Sequence, residues 1–388
     1  MSDDKSILNK LIQSKLSKDA YNYNANDILS LIFNNLTEKE KEILVRRFGL
    51  EGGEKQTLEE IGQKHNITRE RIRQIQSSVI KKIKTLEALK KQLGSFGNIV
   101  KQILSEYGGI MQEDHLLNEL LNYSENTPEA RQATNFIISE LLDDEVERVK
   151  RTETLLDGWK LKMLNLEITH EIISILQKLI EEENKLHQLN ELIEKFKGHD
   201  YFTENQDKIL TSYYNQLNGE GLNDEKIQKF ILSHLNISKN IDKNILNEWG
   251  LKNWPTVTPK RMGDKVYLVL KKHNKPMHFT EITEAINKES FDKKVAYPAT
   301  IHNELILDDR FVLVGRGIYA LKEWGYEKGT VSDVIIEIMK KENKTMTKEQ
   351  IVDEVLKKRM VKKSTIFLAL TNKGKFKKSG DAYSLANG

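Results

Sequence analysis

The chain has 388 residues, 38% of them apolar and 31% charged, which suits several small cores of roughly 100–200 residues or less better than one large one. With no cysteine it has no disulfide, thiolate metal site or cysteine nucleophile, and no apolar run approaches the ~18 residues of a membrane span. The balance of 61 Lys+Arg against 58 Asp+Glu hides a partition: residues 36–100 carry a net +5, 101–200 a net −10 and 255–388 a net +9. Contact with a polyanion is expected at the two basic ends.

The N-terminus, Met1-Ser2-Asp3-Asp4, is acidic where a signal peptide is basic, so a cytoplasmic protein without membrane contact is expected. Residues 1–35 read as a helical extension of one or two short amphipathic helices, with Ile7, Leu8, Leu11 and Ile12, then Ile28, Leu29, Ile32 and Phe33. The next helix is capped by Thr37 with Glu40 three places on, carries Ile43 and Leu44 and ends at Phe48-Gly49. Glu51-Gly52-Gly53-Glu54 is a loop. Thr57 caps a further helix, with Glu60 closing its capping box; Asn66-Ile67 breaks it and Thr68 caps its successor. Along that last helix Ile72, Ile75, Val79 and Ile83 form one apolar stripe, and Gly62 leaves space where the two helices cross. This is a helix-turn-helix over 36–95, whose second helix presents its N-terminal residues to the major groove.

Lysine outnumbers arginine 49 to 12, yet five arginines fall between Arg46 and Arg73. Arg69 and Arg73 share a helix face, with Glu70 and Gln74 one step around it. Arginine suits guanine O6 and N7, glutamate the cytosine amino group and glutamine adenine, so these four are the candidate base readers. Thr57, Thr68, Arg71, Lys81 and Lys82 are candidates for phosphate contact, and Lys84 prolongs the positive flank.

Downstream the chain repeats. The series Val266, Leu270, Met277, Ile282 and Ile286 recurs 69 residues later as Ile335, Met339, Met346, Ile351 and Val355, and 166 residues earlier as Val100, Leu104, Met111, Leu116 and Leu120. Each set reads as helix, turn, helix, with a third helical segment after it. Alternating stretches close the units at Asp157-Gly158-Trp159-Lys160-Leu161, Gly317-Ile318-Tyr319-Ala320-Leu321 and Asp381-Ala382-Tyr383-Ser384-Leu385. Three helices and a small hairpin make a winged helix, expected at 96–165, 262–326 and 330–388. A fainter parallel makes 166–252 a helical segment readable as a degenerate winged helix, followed by a linker at 252–259 that holds two of the five prolines. Met111, Met277 and Met346 read as core plugs. The expected fold class is mainly α: a helix-turn-helix domain followed by tandem winged-helix (α+β, small β-hairpin) domains.

No catalytic constellation emerges. His273 and His278 lack a third patterned ligand, and Gly315-Arg316-Gly317 lacks the rest of a phosphate loop. That tripeptide suits a wing turn, with Arg316 at its tip able to enter a minor groove. Asp143-Asp144-Glu145 and Glu181-Glu182-Glu183 read as solvated helix ends. No enzyme activity, metal, cofactor or small-molecule substrate is expected.

The stretch Leu36 to Leu50, the Gly52-Gly53 loop, Thr57-Leu-Glu-Glu-Ile-Gly62 and Thr68-Arg-Glu-Arg-Ile-Arg-Gln-Ile75 resemble region 4 of a sigma-70 family sigma factor over about residues 30–92. The resemblance implies that Arg69, Glu70, Arg73 and Gln74 read the minus-35 promoter element. It also implies that Phe48 and Leu50 sit on the flap of the RNA polymerase β subunit, and that Lys81 to Lys84 face activators. The aromatic-rich region 2 of a complete sigma factor has no counterpart here, so initiation by this chain alone is not expected. Residues 262–325, with Ala296-Tyr297-Pro298 and Asp308-Asp309-Arg310-Phe311, resemble the HARE-type winged helix, and 330–387 does so weakly. That module, also found in the RNA polymerase delta subunit, implies an adaptor for DNA or protein.

The expected function is a bacterial, nucleoid-located transcription regulator that binds double-stranded promoter DNA and RNA polymerase core. Two alternatives stay open: a nucleoid-associated architectural protein that binds DNA alone, and a polymerase-binding scaffold or antagonist of sigma.

Overall fold

The computed structural model describes residues 24–122, 126–214, 223–326, 329–342, 345–359 and 361–386; the expected helix around Ile7 to Ile12 lies outside them. The chain divides into two compact units at residues 242 and 243. It is mainly helical, with seventeen α-helices and small antiparallel sheets among the described residues.

The first unit opens with α1 (Ala25–Phe33) and α2 (Glu38–Phe48). Thr37 and Glu40 form the expected box at the start of α2: the Thr37 N–H donates to the Glu40 carboxylate over 2.8 Å and the Glu40 N–H to Thr37 Oγ1 over 3.3 Å. Gly49 ends α2 with a left-handed φ of 70°, and a Cβ there would lie 2.7 Å from the Gly53 carbonyl oxygen. A short 3-10 turn at Leu50–Gly52 follows, where the sequence suggests only a loop. Then come α3 (Leu58–His65) and α4 (Arg69–Lys84). Ile43, Ile61 and Ile72, one from each helix, are fully buried against one another.

α5 (Glu87–Glu106) follows α4 after a two-residue link and leads into a winged helix. Its parts are β1 (Ile110–Gln112), α6 (Glu113–Leu121), α7 (Pro128–Leu141), β2 (Val146–Val149) and β3 (Gly158–Leu161). The strands run in the order β1-β3-β2, with Met111 and Arg148 flanking Trp159 in register. One apolar core runs through both modules. Ile28, Ile32, Leu44 and Leu50 belong to it together with Phe96, Val100, Phe136, Ile137 and Trp159. Each large side chain buried there contributes roughly 1.5–3 kcal/mol, so the helix-turn-helix and this winged helix stabilise one another.

α8 (Leu166–Glu183), α9 (Leu189–Lys197), α10 (Asp200–Tyr214) and α11 (Asp224–Ile237) complete the helices of the unit. After them β4 (Ile241–Lys243) and β5 (Trp249–Leu251) form a two-stranded ribbon, and the division between the units falls inside β4. The segment thus runs helix, helix, α10, helix and two short strands in chain order. α11 lies along β1, where the buried Ser233 hydroxyl donates to the Ile110 carbonyl. The Leu156 N–H donates to the Ile237 carbonyl over 2.8 Å.

The second unit holds two winged helices. The first comprises α12 (Met262–His273), β6 (Met277–His278), α13 (Phe279–Glu289), α14 (Pro298–Leu307), β7 (Phe311–Gly315) and β8 (Ile318–Leu321), with strand order β6-β8-β7. The second comprises α15 (Val331–Glu342), β9 (Met346–Thr347), α16 (Lys348–Lys358), α17 (Lys363–Leu370), β10 (Phe376–Ser379) and β11 (Ala382–Leu385), ordered β10-β11-β9. The buried Arg359 donates to the carbonyls of Leu313 and Gly329, which ties the last module to the hairpin of its neighbour. Met111, Met277 and Met346 occupy the first strand of their modules and are buried.

Candidate nucleic-acid interface

The helix-turn-helix is assembled from local rules. The Thr57 N–H and hydroxyl donate to Glu60 over 2.6 and 2.9 Å, fixing the start of α3. Asn66 stops that helix in the left-handed region at φ 53°, a conformation asparagine tolerates better than most residues. Thr68 Oγ1 accepts the Arg71 N–H over 3.2 Å and starts α4. Between them Gly62 sits so close to the turn that a Cβ would meet the Ile67 carbonyl oxygen at 2.7 Å. Ile72, Val79 and Ile83 anchor the inner face of α4 and are buried; Ile75 is half-buried.

The opposite face at the start of α4 is open. Arg69, Glu70, Arg73 and Gln74 are accessible there, so the structure brings together the four candidate base readers on the first two turns. Arg73 is held by a bidentate pair with Glu70, at 2.9 Å from Nε and 2.7 Å from Nη2. Arg71 Nη1 donates to Gln74 Oε1 over 3.2 Å. The Arg73 guanidinium holds the Glu70 carboxyl below the usual carboxylate range. The pair therefore stays ionised and keeps the fork pre-aligned at the solvent edge.

The remaining arginines of the cluster have other work. Arg46 pairs with Glu42 over 2.9 Å, and Arg47 Nη1 donates to the Gln56 carbonyl over 3.1 Å, pinning the loop before α3. Among the phosphate candidates Arg71 and Lys81 are exposed. Lys82 is exposed but paired with Glu40 over 3.2 Å, and the hydroxyls of Thr57 and Thr68 both serve as helix caps. Lys84 pairs with Asp143. A groove of about 350 Å³ runs between α4 and α7, lined by Arg73, Ser77, Lys81, Lys84, Glu140 and Asp143. Burial pushes the Glu140 carboxyl above its ordinary range despite Lys84 and Arg47 nearby.

Phe48 and Leu50 lie against α7. Leu50 is fully buried, and Phe48 is largely covered, with its ring 4.7 Å from that of Phe136 on α7. Gln132 Nε2 adds a hydrogen bond of 3.3 Å to the Gly53 carbonyl beside them. The physical reason is apolar burial: a Phe-Gly-Leu edge left in water is covered by the nearest apolar helix, and α7 supplies it.

Sequence reasoning also misses where the third helices of the first unit go. In a winged helix that helix is the one offered to a groove. Here α7 packs on α1 and on the turn at residues 50–52, and α11 packs on β1, α8 and α9. The burial of Phe136, Ile137, Phe230 and Ile231 can be read from their apolar faces, but not the partners. In the second unit Arg316 is exposed at the wing turn, as expected, whereas α14 has no basic residue in its first or last turn. Its flank carries exposed Tyr297, Ile306 and Leu307 instead.

Two segments of the chain match known families. Residues 32–85 match the family described as Sigma-70, region 4. Residues 262–324 match the HARE-HTH family, a helix-turn-helix domain whose description includes ASXL and restriction endonuclease proteins. The RNA polymerase sigma factor SigA of Clostridium acetobutylicum is 47% identical over 60 residues, 16% of this chain and 16% of that protein. SigA4 of Synechococcus elongatus is 49% identical over 51 residues, 13% of this chain and 16% of its own. SigA of Lactococcus lactis subsp. cremoris is 45% identical over 56 residues, 14% and 15% respectively. The chain thus covers about a sixth of the length of these relatives. Its first module is a DNA-binding domain of the sigma-factor kind. No helix among the described residues is long and apolar enough to cross a membrane.

Proposed function

We propose that the chain is a sigma-like transcription regulator of the nucleoid that reads a minus-35-like promoter element through α4 and engages RNA polymerase core. The observation that carries the reading is the open start of α4, where Arg69, Glu70, Arg73 and Gln74 stand together on a rigid helix. Arg69 and Arg73 read guanines, Glu70 either accepts from a cytosine or buttresses Arg73, and Gln74 reads adenine. Thr57, Thr68, Arg71, Lys81 and Lys82 serve as phosphate contacts, and Lys82 reaches a phosphate only by leaving Glu40. Contact with the β flap through Phe48 and Leu50 requires α7 to move off them. The winged helices act as adaptors, since α7 and α11 are committed to packing; linked weak contacts add avidity without new chemistry.

A second reading rests on the same buried third helices and on the net charge of −10 over 101–200: a protein scaffold that occupies polymerase and displaces sigma. One experiment separates the readings. Purified polymerase core is offered to the wild type and to Arg69→Ala/Arg73→Ala without DNA, and both proteins are then titrated with promoter duplex. Polymerase binding kept by the variant, with promoter binding lost, is the expected result. Polymerase binding by both proteins with no promoter binding by the wild type leaves the scaffold. No polymerase binding by either, with weak sequence preference on DNA, leaves an architectural DNA-binding protein.

A further inference from the structure

The turn between α8 and α9 carries a buried histidine where the other modules carry methionine. His187 lies two residues before the first residue of α9, the position that Met111 holds before α6, Met277 before α13 and Met346 before α16. All four are buried, His187 to 1% exposure. A thioether there needs no partner, but an imidazole does, and neither ring nitrogen of His187 makes a hydrogen bond. Such a group costs stability unless something else satisfies it.

Two carboxylates flank the ring. Glu191 Oε1 is 3.2 Å from Nδ1 and Glu183 Oε2 is 3.8 Å from Nε2, and one donor atom from each of the three residues lies within 4.8 Å of the other two. The Lys185 ammonium sits 3.0 Å from Glu183 and 2.9 Å from Glu191, so the place between the carboxylates already attracts a cation. Lys195 also pairs with Glu183.

The geometry points to a divalent metal site made by Glu183, His187 and Glu191, with zinc as the ion that fits one imidazole nitrogen and two carboxylate oxygens. Tetrahedral zinc with bonds of about 2.0–2.2 Å needs donor atoms roughly 3.4 Å apart. The separation of Glu191 from Nδ1 is already near that figure. Glu183, exposed on the last turn of α8, closes the remainder by a rotamer change, and Lys185 swings into solvent as the ion enters. Water completes the coordination. The bound ion would pin the end of α8 to the first turn of α9.

The test is calorimetric titration of the full chain with zinc chloride in a non-chelating buffer, with thermal unfolding in parallel. The wild type should bind one zinc equivalent that His187→Met and Glu191→Gln each weaken at least tenfold. Those substitutions install residues already present at the equivalent positions of another module, Met346 and Gln350, so the fold should hold. If circular dichroism shows that one variant is unfolded, the other decides. Lys185→Ala should tighten binding several-fold by removing the competing ammonium. No saturable zinc binding by the wild type, or the same stoichiometry and affinity in the folded variants, would overturn the assignment.

Discussion

Gly62→Ala sets two opposed effects against each other inside α3. In an ordinary helix interior the change stabilises by about 1 kcal/mol, because alanine has the better propensity. At Gly62 the new methyl would lie 2.7 Å from the Ile67 carbonyl oxygen and 3.4 Å from the Arg69 nitrogen and the Thr68 carbonyl carbon. All three are backbone atoms of the turn that aims α4, so no flexible side chain can yield, and overpacking of this kind costs roughly 1–3 kcal/mol. Gly94, in the middle of α5, supplies the control: it is exposed, and a Cβ there meets nothing within 4 Å. The propensity gain is common to both, so Gly62→Ala should fall below Gly94→Ala by about 1–3 kcal/mol. Urea unfolding of the two full-length variants measures the gap, and hydrogen exchange of the 69–84 amides locates it. Anisotropy titration of labelled promoter duplex should show weaker binding for Gly62→Ala alone. Equal stabilisation by both alanines would refute the close crossing of α3 and α4 and the aim it gives the recognition helix.

Four further outcomes follow from the same geometry. Arg69→Ala and Arg73→Ala should each cost about 1–3 kcal/mol of discrimination at one base pair; Lys81→Ala should weaken all sequences alike and lower the salt slope by about 0.9, both read from competition titrations at several salt concentrations. Phe136→Ala empties the place beside Phe48 and should cost roughly 3–5 kcal/mol, with faster hydrogen exchange in both α2 and α7. Exchange confined to α7 would disprove the shared core. His234 is fully buried, donates from Nδ1 to the Phe230 carbonyl over 2.8 Å, and burial holds its pKa down to about 4. The unfolded chain takes that proton near 6.5, so between these values the unfolded state binds more protons and stability falls as pH drops. The loss should approach roughly 3 kcal/mol by pH 4. His234→Gln should remove that slope in pH-dependent urea unfolding, and an unchanged slope would place the titration elsewhere.

The recognition module is legible in the sequence because its determinants are local. Two threonine boxes, a left-handed asparagine, a small residue at a crossing and a 3-4-4 apolar stripe all lie within a short span of chain. What the sequence does not disclose depends on contacts between distant residues. Phe48 meets Phe136 from a remote helix, so the apolar edge around Phe48 and Leu50 reads as available to a partner although α7 covers it. Arg46 and Arg47 group by sequence with the arginines of α4, since nothing local shows that they hold Glu42 and the Gln56 carbonyl. The fourth repeat is faint for two physical reasons: α10 intervenes between its second and third main helices, and His187 replaces the methionine that marks the other three. That replacement is the one available signal for the Glu183–His187–Glu191 cluster. It stays hidden because Glu183 reads as the end of a solvated acidic run.

The packing of α4 limits what the protein can ask of a genome. Ile72, Val79 and Ile83 are buried and Lys84 is tethered to Asp143, so the proposed base readers are the four side chains of the opening turns, with Ser77, Ser78, Lys81 and Lys82 exposed behind them. A reader this short recognises a short word, and short words recur by chance among the roughly 10⁶–10⁹ sites that compete for such a protein. The word alone cannot be an address. On the proposed function, contacts made by the rest of the chain have to supply the remaining selectivity.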